Sequence, residues 1–383
     1  MEDKRPVVKQ KKSLTGSIDF LSSIIAILMG LLFGTILLLC LNPTHAFEGL
    51  TNLLSTGFSS PEKFAKVLYQ AAPLMMCGLS VGIAFKTNLF NIGASGQYMI
   101  GAMCALIGAL AFKMPWYMCL IMSMVGGGIW GLFPGLFKAL FNVNEVITAI
   151  MFNWIGLFTM NVVISNIPTM LAGYYGSAVN NRTGDLSAAN AGAIIPRLGL
   201  DKLMNSNYMN ISIFIAIFMA IIIHIILNKT TFGYELKACG YNRDAAQYAG
   251  VNSKRNIIIT MVISGALAGL GGAIFYLAGT AQYTIEKNLL GMGFDGISVA
   301  LLANSSPLGT ILSALFISYI RVGGQAMQPT FATEYVDIIL GVIIYFSAFS
   351  LLMKNVIVKI LKRKKKEKEE IPPNAIPSGK EDQ

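Results

Sequence analysis

The sequence predicts an all-α, polytopic membrane protein of about ten transmembrane segments, and three observations carry that prediction. Hydrophobic residues form 54% of the 383-residue chain, charged residues only 13%, and the mean hydropathy is +0.62. A soluble domain carries roughly a quarter charged residues, so that class is excluded. Apolar runs long enough to cross a bilayer recur along the chain. The formal charge of +10 gathers mostly in two basic ends, Lys4 to Lys12 and Lys359 to Lys368. Such ends read as cytoplasmic anchors in a lipid bilayer, and no nucleic acid partner is expected.

The first apolar run, 20–41, follows a basic stretch, and Thr44-His45-Ala46 faintly resembles a cleavage site. Its 22 residues exceed a secretory h-region, which predicts a retained helix. Further runs lie near 66–85, 92–112, 116–141, 145–165, 208–228, 256–280, 308–323 and 334–352. Gly291 to Ala303 is too short to span unless it is tilted, broken or continued into its flanks. Counting it gives ten segments and puts both termini in the cytoplasm. The chain then divides into a basic tail (1–19), a transmembrane domain (20–355) and a charged, disordered tail (356–383).

Loop charge orients the domain. Lys229, Lys237, Arg243, Lys254 and Arg255 crowd 229–255, which predicts a cytoplasmic loop at 231–256. Inside it, Gly240 is expected to break the chain, Asn242 or Asp244 to cap a two-turn helix over Ala245 to Ala249, and Gly250 to end it. The 166–207 loop holds only Arg182, Arg197 and Lys202, and reads as a mostly irregular outer lid with a short helix from Asp201. Cys40, Cys77, Cys104, Cys119 and Cys239 show no Cys-x-x-Cys pairing and read as packing residues. Gly30/Gly34 and Gly265/Gly269 have small-xxx-small spacing, and Gly126 to Gly128 and Gly271–Gly272 suit closely packed helices.

Polar residues inside apolar runs tend to face a pathway or one another, because lipid does not solvate them. Four stretches qualify. Phe85 to Gln97 interrupts two runs and carries Asn88, Asn91, Ser95 and Gln97, whose amides suit a neutral ligand, or else it is a helix connection capped by Asn91. Asn144 to Asn153 sets Glu145 and Thr148 on one helical face with Asn153 at its flank; Glu145 is either a pathway residue or a first-turn acid meeting the helix dipole. Gly293 to Leu302 places Phe294 and Asp295 in the shortest apolar segment, either at a transport site or capping a broken helix at the interface. Glu334 and Asp337 begin the last run and read as interfacial. His45 and His224 are isolated and read as structural.

No catalytic constellation is present: there is no His-Glu-x-x-His, no Gly-x-Ser-x-Gly and no Walker A lysine. Gly291 to Gly296 fits Gly-x-Gly-x-x-Gly, but no βαβ unit surrounds it. The chain reads as a non-enzyme, and any ATP-driven transport requires a separate ATPase. One alternative is an ion-coupled secondary transporter with Asp295 or Glu145 as the ion site.

Phe90 to Gln97, Asn144 to Thr148, the Asn-x-x-Ala-Ala and Gly-Val-Asn elements of 240–272, and Gly293 to Leu302 together resemble the branched-chain amino acid/ribose-type permeases of ABC importers. The likeness covers roughly residues 20 to 355, and within the group it is greatest to nucleoside importer permeases. A type II importer-like permease domain over 20–355 is implied, which binds no cofactor itself. Its expected partners are a second, different permease subunit, a P-loop ATPase that uses ATP and Mg²⁺, and an extracellular substrate-binding lipoprotein, all at the plasma membrane. The implied cargo is a nucleoside or related base, with a simple sugar as the alternative. The resemblance puts Asn242, Arg243, Asp244, Ala245, Ala246 and Gly250 in the ATPase coupling segment. Asn91, Gln97, Asn144, Glu145, Asn153, Phe294 and Asp295 are the expected pathway lining. The chain departs from the family in having Ser95 where Glu commonly precedes Gly-Gln, and Ala303 where Gly commonly follows Leu-Leu.

Overall fold

A computed structural model describes residues 11–328, 330–332, 334–343 and 345–346. The expected tail at 356–383 lies outside them, as does part of the 334–352 run. Two units are distinguished, Leu38–Ile338 and the pairing of Met1–Leu37 with Ile339–Gln383. In the smaller unit, Gly30 and Gly34 sit against Ile343 and Ile339, which explains their four-residue spacing as a packing stripe. Their helix, α1 (Lys11–Leu41), begins inside the stretch expected to be a tail, so 11–19 is helical.

The larger unit is almost wholly helical. α2 (Ala46–Ser55) is followed by α3 (Pro61–Lys86), where Ser60 caps the first turn by accepting from the Lys63 N–H at 3.3 Å and Pro61 sits at the first position, which needs no donor. Next come α4 (Ala94–Leu106), extended by a π-helical turn at Ile107–Ala111, α5 (Trp116–Phe141) and α6 (Glu145–Asn166). Residues 167–211 hold only short helices, among them α7 (Leu186–Ala189) and α8 (Leu200–Met204). α9 (Ser212–Lys229), α10 (Thr231–Tyr241), α11 (Arg243–Tyr248), α12 (Ser253–Tyr276), α13 (Met292–Leu302) and α14 (Pro307–Gln325) complete the order. Residues 334–343 are helical again.

Seven helices among the described residues are long and apolar enough to cross a membrane: α3, α4 with its π turn, α5, α6, α9, α12 and α14. The expected ten are not all found. α13 has 11 residues and rises only about 16 Å at 1.5 Å per residue, half a hydrocarbon core. The apolar stretch Ile27–Leu41 is also short.

Burial sorts the spans. The apolar windows of α3, α4 and α12 are 72–89% buried, whereas those of α5, α6 and α9 are 33–39% buried and leave an apolar face outward, as lipid contact demands. α12 lies at the centre against α3, α4 and α5. It approaches so closely because glycine meets glycine: Cβ atoms on Gly101 or Gly127 would overlap the backbone of Gly269 or Gly265. Without a hydrophobic force between helices in lipid, such backbone contact is a main source of association.

Residues 277–290 are stitched to the 167–211 segment. Ile195 N–H donates to the Leu277 carbonyl and Thr183 N–H to the Tyr283 carbonyl, each at 2.9 Å. The buried Tyr283 hydroxyl donates to Asn161 on α6 at 2.6 Å. Burial, with the Glu286 carboxylate nearby, pushes this phenol up to about 12, so it remains a donor at every physiological pH.

Gly269→Ala should lower stability by about 1–3 kcal/mol, since backbone has to move to admit the methyl: the added Cβ would lie 2.5 Å from the Ser123 carbonyl oxygen. Gly341→Ala, where nothing stands within 4 Å, should stay within about 0.5 kcal/mol. Thermal unfolding in one detergent compares the two.

Candidate functional site

α3 ends because Asn88 takes the left-handed conformation at φ 56° and the Leu89 N–H turns back to the Ala84 carbonyl at 3.0 Å. The chain then crosses 87–93 without regular structure before α4 begins. This break is held by side chains. The Asn91 amide donates to Gln97 Oε1 at 2.8 Å and to Ser264 Oγ on α12 at 2.7 Å, and accepts from Gln97 Nε2 at 3.1 Å. Ser264 in turn donates to the Ser80 carbonyl of α3 at 2.6 Å. All four side chains are buried, Asn91 completely. The network thus ties α3, the break, α4 and α12 together, and in this conformation Asn91 and Gln97 satisfy each other.

Asn153 of α6 joins the same break from the opposite side. Its Oδ1 accepts from the Gly96 N–H at 2.8 Å and its Nδ2 donates to the Ile92 carbonyl at 3.1 Å, so one buried amide serves two backbone groups. Asn144 and Glu145 lie two turns away at the start of the same helix. Asn144 caps α6 by accepting from Val146 at 2.9 Å. Glu145 pairs with Lys138 of α5 at 2.9 Å, across the tight turn that the left-handed Asn142 allows.

α13 begins against α4. Ser95 Oγ donates to the Leu290 carbonyl at 2.9 Å, and a Cβ on Gly293 would overlap the Ser95 backbone. A small residue with a short donor therefore fits at 95. Asp295 is not the cap of α13: Gly291 occupies that position, and no side chain caps the helix. Asp295 instead pairs with Arg321 of α14 at 2.7 Å, and Arg321 lies 3.7 Å from the exposed Asp337. Phe294 is half-buried beside them. Asp337, read from sequence as interfacial, is thus part of an ion cluster.

The 231–256 segment is a hairpin of helices and not a loop with one helix. Gly240 does not break it; it lies within α10, where a Cβ would overlap the Lys86 carbonyl, so glycine lets α10 rest on the end of α3. The break comes at Asn242, whose side chain accepts from the Ala245 N–H at 2.9 Å and caps α11. Asp244 is not the cap. Gly250 follows at φ 85°, the left-handed stop. Ala246 is buried under α11, and Ser253 Oγ reaches the Arg243 carbonyl at 3.3 Å. Asp244, Gln247 and Tyr248 border an open hollow of about 390 Å³. Tyr241 and Tyr248 are more than nine-tenths exposed, an aromatic surface with nothing covering it.

The structure therefore brings Asn91, Gln97 and Asn153 together at one break, sets Phe294 and Asp295 on the helix packed against it, and leaves Asn144 and Glu145 apart. The sequence reading missed Ser80, Ser264, Lys138 and Arg321. A basic residue inside an apolar run, as Arg321 is, was the available signal for one of them. Among the described residues no three His, Cys, Asp or Glu side chains gather as metal ligands.

A family model described as branched-chain amino acid transport system / permease component matches residues 64–348. The chain belongs to this permease family. It is 36% identical over 347 residues to the guanosine ABC transporter permease protein NupP of Bacillus subtilis, covering 89% of this chain and 96% of that one. To the nucleoside ABC transporter permease protein NupB of Lactococcus lactis it is 34% identical, covering 86% and 91%. To the glucose ABC transporter permease protein TsgB13 of Haloferax volcanii it is 27% identical, covering 84% and 85%. No solved structure matches. The multi-pass membrane character of the family accords with the seven apolar helices.

Asn91→Ala should destabilise the permease by about 1–3 kcal/mol, because Gln97 and Ser264 are left buried without their partner. Ser264→Ala should cost about 1 kcal/mol. Chemical denaturation in mixed micelles measures both.

Proposed function

We propose that the chain is the membrane-spanning permease subunit of an ATP-driven importer for nucleosides. The observation that carries this reading is the identity to two nucleoside-transporter permeases over more than four-fifths of the chain, higher than to the glucose permease. The fuller topology belongs to the same proposal: ten segments, α13 being one half-span, with both termini cytoplasmic. The outward apolar faces of α5, α6 and α9 then serve lipid and a second, different permease subunit. The 166–207 segment faces the binding lipoprotein outside, and α11 meets the P-loop ATPase inside.

Coupling follows from the packing. The ATPase, closing on ATP and Mg²⁺, moves α11; α10 rests through Gly240 on the last turn of α3, so the displacement reaches the 87–93 break. There the Asn91–Gln97–Ser264 network gives two helices a shared set of exchangeable hydrogen bonds, which suits an alternation between two arrangements. Asn91, Gln97, Asn153, Phe294 and Asp295 thus lie at or beside the moving pathway, while Asn144 and Glu145 guard its cytoplasmic end. Exposed Tyr241 and Tyr248 supply contact area for the ATPase, since aromatic side chains dominate such interfaces.

Proteoliposomes holding the full importer should take up labelled nucleoside only with internal or external ATP at the ATPase face, and a protonophore at constant ATP should change nothing. Uptake without the ATPase would sink this reading. Gly250→Trp, a bulky residue at positive φ, and Ala246→Asp, a carboxylate in a buried site, should leave the protein in the membrane but reduce ATP-driven uptake to the level seen without ATPase.

A further inference from the structure

Between the first half of α3, the last turn of α12, the end of α14 and the start of α13 lies an open cavity of about 400 Å³. Its volume falls in the range of small-molecule sites. Leu74, Phe275, Met292 and Val336 make most of its apolar wall; Gln70, Arg321, Gln325 and Asp337 are its polar groups. Phe275 has one side stacked on Tyr69, with centroids 5.4 Å apart and planes 23° from parallel, which fixes the ring as a platform.

The charges are arranged unevenly. Asp295 is the close partner of Arg321, at 2.7 Å, and Asp337 at 3.7 Å is a second acid whose side chain is 67% exposed. A carboxylate only accepts hydrogen bonds, so a partner for it must bring donors. The cluster of one arginine and two aspartates carries a net negative charge, which disfavours a phosphorylated solute. On the donor side, among the described residues, Arg321 Nε is buried with no partner and neither Gln70 nor Gln325 has a side-chain hydrogen bond. The cavity thus offers an aromatic platform, one acceptor-only group with two oxygens, and several donors.

Resting on the nucleoside-importer reading above, we infer that this cavity within a single permease chain is a nucleoside site in which Asp337 reads a base edge bearing adjacent N–H donors, as guanine does. Two parallel N–H groups match the two carboxylate oxygens in the bidentate manner. The neighbouring base carbonyl accepts from Arg321, the base lies on Phe275, and Gln70 and Gln325 serve the ribose hydroxyls. Adenine places an acceptor lone pair where the second donor is needed and meets the carboxylate with repulsion. Asp337 is then a specificity-determining residue, and Asp295 positions Arg321.

The test uses the complete importer in proteoliposomes, with this chain, its partner permease, ATPase and lipoprotein. Uptake of labelled guanosine and adenosine by each variant is compared with wild type for the same solute, so the lipoprotein's own preference cancels. Asp337→Asn should lower guanosine uptake about tenfold or more and adenosine uptake less than about twofold. Gln70→Leu, on another helix, should lower both by several-fold. Size-exclusion chromatography establishes that each complex assembles. Wild-type guanosine uptake by Asp337→Asn, equal loss of both solutes in that variant, or an unaltered Gln70→Leu would overturn the site while leaving the importer reading intact. Failure of the wild-type complex to carry any nucleoside would overturn both.

Discussion

The structure depends on satisfying backbone that leaves the helical ladder inside an apolar bundle. A helix bonds its own peptide groups; a chain that breaks at 87–93 and again before α13 does not, and lipid offers nothing in exchange. The protein answers with buried amides. Asn153 holds Gly96 and Ile92 directly, and in this conformation Asn91 bonds Gln97 and Ser264, so the break is satisfied by the helices beside it. The second irregular segment, 277–290, is bonded instead by the 167–211 segment and by Ser95. Each unwound stretch thus has a named set of partners drawn from elements distant in sequence.

Those partners can meet only because the helices stand unusually close. α12 brings Ser264 to Asn91 at the level where Gly265 and Gly269 touch α5 and α4 through bare backbone. Small residues and polar residues therefore do one job along the same helix: the glycines set the distance, and the serine uses it. The same pairing recurs where Gly293 lets α13 reach the Ser95 hydroxyl's neighbourhood. Serine at 95 is, in this light, a local fit between a small donor and a crowded backbone.

Much of the fold was legible because it rests on local signals. Long apolar runs marked all seven spanning helices, and cap chemistry marked Gly250 and, as one of two candidates, Asn242 where the structure puts them, whereas the capping role of Asn144 emerged only from the fold. Polar residues in apolar runs found Asn91, Gln97, Asn153 and Asp295. Partners distant in sequence escaped, since nothing local distinguishes Ser80 or Ser264 from any small residue in a packed helix, and pairing across 173 residues is not written in periodicity. Gly240 was misread for a related reason. Glycine signals a break by its own conformation but a close approach by its neighbour's, and only the fold reveals the neighbour. Likewise α13 was seen as apolar and short, yet its ion pair with Arg321 belongs to the packing of α14.

Charge in the bundle follows the same logic with one difference. Lys138 and Glu145 neutralise each other across a tight turn, and Asp295 does the same for Arg321, so these two cations each have a close acid. Asp337 breaks the symmetry. It adds a second acid to an arginine that is already paired, at a longer distance and largely in the open. Stability gives no reason for it, because an exposed acid at that distance contributes little. Among the described residues it stands at the rim of a cavity where Arg321 Nε is also without a partner, which is the arrangement the proposed nucleoside site uses. The hydrogen-bond accounting that closes at Asn91 and Asn153 stays open here, and that contrast separates the part of the molecule built to hold its own chain from the part left free for a solute.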